Sequence, residues 1–380
     1  MTTLVLRRAS AEEKERLLED FVRLCEIESP SGRERGAADA VTAELRTLGF
    51  EVEEDGSGPE TGSDAGNLLA RIPGADEGRT VLLCAHLDTV PLNAPVEVEQ
   101  SDGVLRNRNE AILGADNKAA VAVLLALARR LRAEAPPLGV ELLFTTCEEL
   151  ALRGAKAFDL SRLRAEFGFV FDHASPIGEV IVAAPTYYRL EATLRGAAAH
   201  AGIRPEAGRN AIVAAARAIS AMRLGRLDDE TTANVGRIEG GTAGNVVAER
   251  CRMEFEARSI DEGRASQVVA EMVDAVTEAA SDAECDVETA VERLFRGYRL
   301  SPSSAPVSLA AAALEAVGVE PRYISTGGGS DANAFVAGGL PVVNLANGTE
   351  RNHEPDESVT VLALETMLDV ALALVAASAG

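Results

Sequence analysis

Residues 80–91 read TVLLCAHLDTVP, and this stretch decides the fold. The run 81–85 is apolar throughout instead of alternating, as expected of a strand covered on both faces in a parallel sheet. It stops at His86, with Asp88 two positions on. Residues two apart in extended chain face the same way, so the Asp88 carboxylate can hold one imidazole nitrogen while the other points at a metal ion. A histidine hydrogen-bonded at a strand end is the bland alternative, and this segment alone does not separate the two.

Working outward, similar short apolar runs occupy 67–72, 140–146, 166–172, 323–326 and 341–345. Between and around them the spacing turns helical: 11–25 behind Ser10 as N-cap, 37–48 stopped by Gly49, the strongly apolar 119–131, 306–317 and 360–377. This alternation predicts an α/β domain with a mostly parallel central sheet and helices on both faces. Near residue 186 the texture changes. A half-exposed strand at 187–194, an Ala-rich helix at 210–222, strands at 235–238 and 251–257 and a helix at 261–279 predict a small α+β sandwich. The expected organisation is a discontinuous first domain over 1–185 and 296–380, with a second domain inserted at 186–295.

The chain has 380 residues, 47 % apolar and 26 % charged, which suffices for a large core and about two domains. Its formal charge of −23 opposes binding to nucleic acid or to an anionic membrane surface. The opening MTTLVLRRAS is too short in apolar residues for a secretory signal, and no stretch approaches the ~20 apolar residues that span a bilayer, so a cytoplasmic location is expected. Cys25, Cys84, Cys147, Cys251 and Cys285 form no CxxC pair, and their odd number argues against a disulfide framework.

Of the four histidines, three sit in unusual settings. Besides His86, Asp172 and His173 end the strand FGFVFDH, and His353 lies in the loop after another buried strand. Neighbours on a strand point to opposite sides, so His173 is not expected to share a metal with Asp172. Asp116 precedes an apolar helix, where capping is the commoner role of an aspartate. Glu148 and Glu149 are adjacent carboxylates at the end of a buried strand, a costly pairing unless a cation or solvent compensates. Collectively these residues follow strand ends, and in open parallel sheets those ends form the active-site crevice. Two imidazoles with several carboxylates suit zinc, cobalt or manganese in an open hydrolytic site. Two ions about 3.5–4 Å apart would need one carboxylate between them.

Together HLDTVP (86–91), GADNKAAV (114–121), CEELALRGAKAFD (147–159), FVFDH (169–173), AAAHAGIRPEAGRNAI (197–212) and GGGSDANAF (327–335), with the late His353, resemble the co-catalytic zinc metallopeptidase family. That family includes peptidase T, carboxypeptidase G, acetylornithine deacetylase and succinyl-diaminopimelate desuccinylase. The phrases TTANVGRIEGGTAGNVV (231–247) and EARS (256–259) bring the chain nearest to the peptidase T-like branch. The resemblance implies a zinc-peptidase-like catalytic domain with a ferredoxin-like lid that makes a homodimer. It implies two divalent metal ions, zinc foremost: His86 and Asp172 on one, Glu149 and His353 on the other, Asp116 bridging. It makes Glu148 the general base, Asp88 the residue orienting His86, and His200 the stabiliser of the carbonyl oxyanion. Asn245, Arg258 and the loop Gly327, Gly328, Gly329 match substrate-contacting positions, although Arg258 reads equally as a salt-bridged strand residue. Asn117 departs from the branch, which commonly has a second aspartate there.

The expected activity is hydrolysis of amide bonds in small peptides, as a tripeptide or dipeptide aminopeptidase. An N-acyl-amino-acid deacylase shares every metal residue, and a non-catalytic binding protein would be expected to have lost the base or a ligand. A phosphate loop at GGGSDAN is a poor reading, because GxGxxG and the P-loop lysine are missing.

Overall fold

The structure is a computed structural model that describes residues 8–379, so most of the opening stretch weighed as a leader lies outside the described residues. The chain folds into two compact units. The first comprises Met1–Val182, Leu300–Ser325 and Ser330–Gly380; the second comprises Ala183–Arg299 and Thr326–Gly329.

In the first unit, strands Leu138–Thr145, Asp76–His86, Phe167–His173 and Val342–Ala346 lie side by side in that order, all parallel. Leu68–Ile72 extends one side and Glu179–Ala184 the other, both antiparallel. Alternate residues of these strands face opposite sides, and both sets are buried. Leu83, Leu142, Phe169 and Val343 join the main core, while Leu82, Leu143, Val170 and Val342 are equally inaccessible on the other side. A sheet covered on both faces explains why the sequence reads as continuous apolar runs.

Helix Ala115–Ala133 packs on strands Asp76–His86 and Phe167–His173, and against helices Ala11–Cys25 and Val361–Ala377. Ala11–Cys25 begins with a capping box: Ser10 Oγ accepts from the Glu13 N–H at 3.3 Å and Glu13 Oε2 accepts from the Ser10 N–H at 2.8 Å. Because the four central strands run the same way, their C-terminal ends share one edge. The register aligns His86 with Thr145 and Ala346 with His173. Segments leaving that edge therefore carry their side chains to one rim.

The second unit is an antiparallel sheet ordered Gly225–Asp228, Thr231–Gly240, Arg250–Ser259, Thr186–Arg195, Asp286–Phe295. Helices Ala211–Ala221 and Glu262–Asp282 bury Leu190, Leu194, Met253 and Phe255 on one face. This is the α+β sandwich expected from sequence. The unit begins and ends a few residues outside the expected 186–295, because Tyr298 pairs with Ala184 across its neck. It also takes in the glycine loop, where a Cβ on Gly329 would sit 2.3 Å from the Phe295 ring.

Gly154 is tightly enclosed behind the rim. A Cβ there would meet the Thr146 carbonyl oxygen at 2.1 Å and Asn67 Oδ1 at 2.6 Å. Gly154→Ala is expected to destabilise the protein by about 1–3 kcal/mol. Gly56→Ala, whose Cβ meets nothing within 4 Å, should stay within about 0.5 kcal/mol of the parent. Thermal unfolding of both variants checks the contrast, and equal melting would contradict the packing argument.

Candidate metal centre

His86 is the last residue of its strand, buried, with Nδ1 3.0 Å from the Asp88 carbonyl oxygen and 3.5 Å from Asp88 Oδ1. The imidazole is thus seated mainly on the Asp88 backbone, where the sequence reading had placed the carboxylate. That carboxylate is occupied elsewhere: it accepts the N–H groups of Glu148 at 2.9 Å and Glu149 at 3.2 Å, and the Ser31 hydroxyl at 2.7 Å.

The other imidazole nitrogen, His86 Nε2, lies 3.2 Å from Asp116 Oδ1 and 3.4 Å from Asp172 Oδ1. His353 Nε2 lies 2.9 Å from Glu149 Oε1 and 3.4 Å from Asp116 Oδ2. The two oxygens of Asp116 therefore face different imidazoles. Capping does not account for Asp116: its Oδ1 lies against His86, and its Oδ2 accepts from Asn352 and faces His353.

Ligand atoms of His86, Asp116 and Glu149 lie within 4.8 Å of one another, as do those of His86, Glu148 and Asp172. Glu148 thus stands as close to the His86 side as a ligand would. His353 completes neither trio but touches Asp116 and Glu149. His173 is half-buried and outside these contacts; burial lowers its proton affinity.

Four carboxylates against two imidazoles leave an excess of negative charge in a buried place. Burial pushes Glu148 well above the usual carboxylate range, reinforced by the Asp172 charge. Burial also raises Asp172 and Glu149, with His86 and His353 opposing. Asp116 is held far below its usual value because contacts with His353 and His86 outweigh burial. Burial alone would lower His86, but the Asp172 charge and contacts with Asp116 hold it well above a normal histidine. His353 is raised to about 10 by Asp116 and Glu149. Nitrogen and oxygen donors gathered in this way fit divalent cations, whose charge would bring the raised carboxylates back down.

Several supporting residues escaped the sequence reading. Buried Glu357 accepts the N–H groups of Gly114 at 2.7 Å and Asp116 at 2.8 Å, and Asn352 donates to Asp116 Oδ2 at 2.7 Å. Asn344 grips the Asp172 backbone at both N–H and carbonyl, each at 2.9 Å. An asparagine inside the apolar run 341–345 was the available signal for this last one. Asn117 donates to the Phe171 carbonyl at 2.8 Å, a bond that an ionised aspartate would be unable to make.

His200, Asn245, Arg258, Gly327, Gly328 and Gly329 belong to the second unit. His200 is exposed, and its Nδ1 accepts from the Gly202 N–H at 3.1 Å. Asn245 lies beside it, its carbonyl accepting the Ala201 N–H at 2.9 Å. Arg258 stacks over the Tyr187 ring at 4.1 Å, pairs with Glu256 and donates to the Gly327 carbonyl at 3.3 Å.

Residues 186–284 match the family described as peptidase dimerisation domain, and residues 67–204 match peptidase family M28. The Bacillus subtilis protein YqjE is 36 % identical over 363 residues, covering 95 % of this chain and 98 % of that one. A crystal structure of aminopeptidase PepT from Bacillus cereus superposes with a TM-score of 0.87 at 36 % identity, covering 97 % of this chain and 99 % of that one. A tripeptidase from Staphylococcus aureus gives a TM-score of 0.91 at 32 % identity, with 96 % and 98 % coverage. Likeness of this extent along both chains, over a cluster of donors that fits divalent cations, puts the chain in the M20 metallopeptidase family, on its peptidase T-like branch, as a metal-dependent peptide hydrolase.

Proposed function

We propose that the chain is an aminopeptidase of tripeptides and dipeptides that holds two zinc ions, works as a homodimer through its second unit and resides in the cytoplasm. The observation carrying this reading is Asp116, whose two oxygens face His86 and His353 separately. Cobalt or manganese suit the same donors. The dimerisation-domain match over 186–284 supports the homodimer. Five unpaired, buried thiols suit a reducing compartment, and no helix among the described residues is long and apolar enough to cross a membrane.

In this reading His86 and Asp172 would hold one ion and Glu149 and His353 the other, with Asp116 serving both. Bound there, divalent cations would supply Lewis acidity to the amide carbonyl and to the attacking water. Glu148 takes a proton from that water and returns it to the leaving amine nitrogen. Asp88 fixes the backbone from which Glu148 projects and seats His86. His200 donates to the oxyanion that develops on the carbonyl. Asn245, Arg258 and the loop Gly327, Gly328, Gly329 contact the substrate.

Glu148→Ala should keep its metal and lose about 10²–10⁴-fold in kcat on tripeptides. The parent enzyme should cleave tripeptides and dipeptides in preference to N-acetyl or N-succinyl amino acids. Near-parental turnover of the variant would contradict the base assignment, and cleavage of acyl amino acids alone would contradict the peptide specificity.

Metal uptake by the apoprotein should release protons, because imidazoles and carboxylates with raised proton affinity must give theirs up to bind a cation. The sign follows from His353: raised to about 10, it is charged at neutral pH, so affinity for zinc should strengthen as pH rises from 6 to 8. Calorimetry in buffers of different ionisation enthalpy measures the release. His353→Ala should load fewer than two ions and release fewer protons; full loading would remove His353 from the ligand set.

A further inference from the structure

Four consecutive backbone N–H groups in the turn that carries Glu148 and Glu149 are each captured by a buried side-chain oxygen from elsewhere in the chain. Thr146 donates to Asn67 Oδ1 at 3.1 Å, Cys147 to Glu34 Oε1 at 3.0 Å, Glu148 to Asp88 Oδ1 at 2.9 Å and Glu149 to Asp88 Oδ2 at 3.2 Å. The strand has ended at Thr145, and Cys147, Ala151 and Leu152 take left-handed φ values of 51°, 62° and 62°. Side chains visit that region at a cost, and a buried amide needs an acceptor. The turn keeps its shape because outside groups impose it.

Asp88 is already part of the site. Glu34 is not, and its surroundings are unusual. It stands at the start of helix Arg35–Thr47 but makes no cap bond to that helix. Its side chain is 0 % exposed, and its partners are neutral: the Cys147 N–H and thiol at 3.0 and 3.2 Å, and the Ser63 hydroxyl at 2.6 Å. A buried carboxylate served only by neutral donors is expensive for a fold that needs mere packing there.

We propose that Glu34 is a positioning residue for the reaction: by fixing the Cys147 peptide, it sets where the next residue, Glu148, places its carboxylate. The proposal rests on Glu148 as the base. It differs from a stability role because it acts on turnover at temperatures where the fold is intact. A base displaced by a fraction of an ångström loses rate while substrate binding is kept.

The test compares Glu34→Ala, Glu34→Gln and Ser63→Ala with the parent, well below their melting temperatures, for kcat, KM, the pH profile of kcat and metal content. Glu34→Ala leaves the Cys147 N–H without its acceptor, whereas the amide oxygen of Glu34→Gln still accepts it, as Asn67 Oδ1 accepts the Thr146 N–H. Ser63 lies outside the turn and is only half-buried, so its variant keeps the fold while freeing Glu34 Oε2. In Glu34→Ala, kcat is expected to fall about tenfold or more, with KM within about twofold, metal content retained and the acid limb of the profile moved. Glu34→Gln and Ser63→Ala should shift the same quantities by less. Placed in Glu148→Ala, Glu34→Ala should cause no further loss.

Parental kcat with an unmoved acid limb in folded Glu34→Ala overturns the proposal; should that variant not fold, the same result in both Glu34→Gln and Ser63→Ala does so. Near-parental turnover of Glu148→Ala alone removes the base assignment and this proposal with it. An inactive Glu148→Ala beside an unaffected Glu34→Ala overturns the Glu34 proposal only.

Discussion

The placement of Asp116 between two imidazoles is the constraint on which the rest depends. Its Oδ1 faces His86 and its Oδ2 faces His353, with Glu149 and Asp172 closing in from either side. Burial and mutual repulsion raise the proton affinity of Glu148, Glu149 and Asp172, and the two imidazoles overcome this only at Asp116. Divalent cations bound here would turn the same arrangement into an attraction. Much of the surrounding structure serves to hold these groups where they would otherwise separate.

That service is visible in how backbone polar groups are used. Glu357 takes the amides of Gly114 and Asp116, Asn344 takes both ends of the Asp172 peptide, and Asp88 takes the amides of Glu148 and Glu149. His353 and Arg351 have left-handed φ values of 68° and 57°, like the residues around Glu148. The turn around Glu148 is irregular backbone fastened by the buried side chains of Asn67, Glu34 and Asp88, and the turn around His353 is closed by its own backbone bonds. Such fastening holds the donors in a fixed geometry, as the proposed two-cation hydrolysis would require.

The sheet was legible in the sequence because burial on both faces leaves a plain mark: 81–85 and 169–171 are apolar at every position. The inserted sandwich was legible through its change to alternation after residue 186. The individual rim residues were legible because His86 and Asp172 end such runs. What stayed hidden were partners joined only by folding. Glu34 and Asn67 lie 113 and 79 residues from the amides they accept, and Glu357 lies 241 residues from Asp116. No local spacing encodes such a pairing. Asp88 shows a subtler limit: alternation put its carboxylate on the His86 side, but a carboxylate has two oxygens, and two amides from another strand end claimed them.

The most direct measurement is anomalous scattering from crystals of the zinc-loaded enzyme. Two peaks are expected, one on each side of the Asp116 carboxylate, the first beside His86 and Asp172 and the second beside Glu149 and His353. A single peak, or two that leave Asp116 uncoordinated, in crystals of an enzyme that hydrolyses peptides would contradict the account.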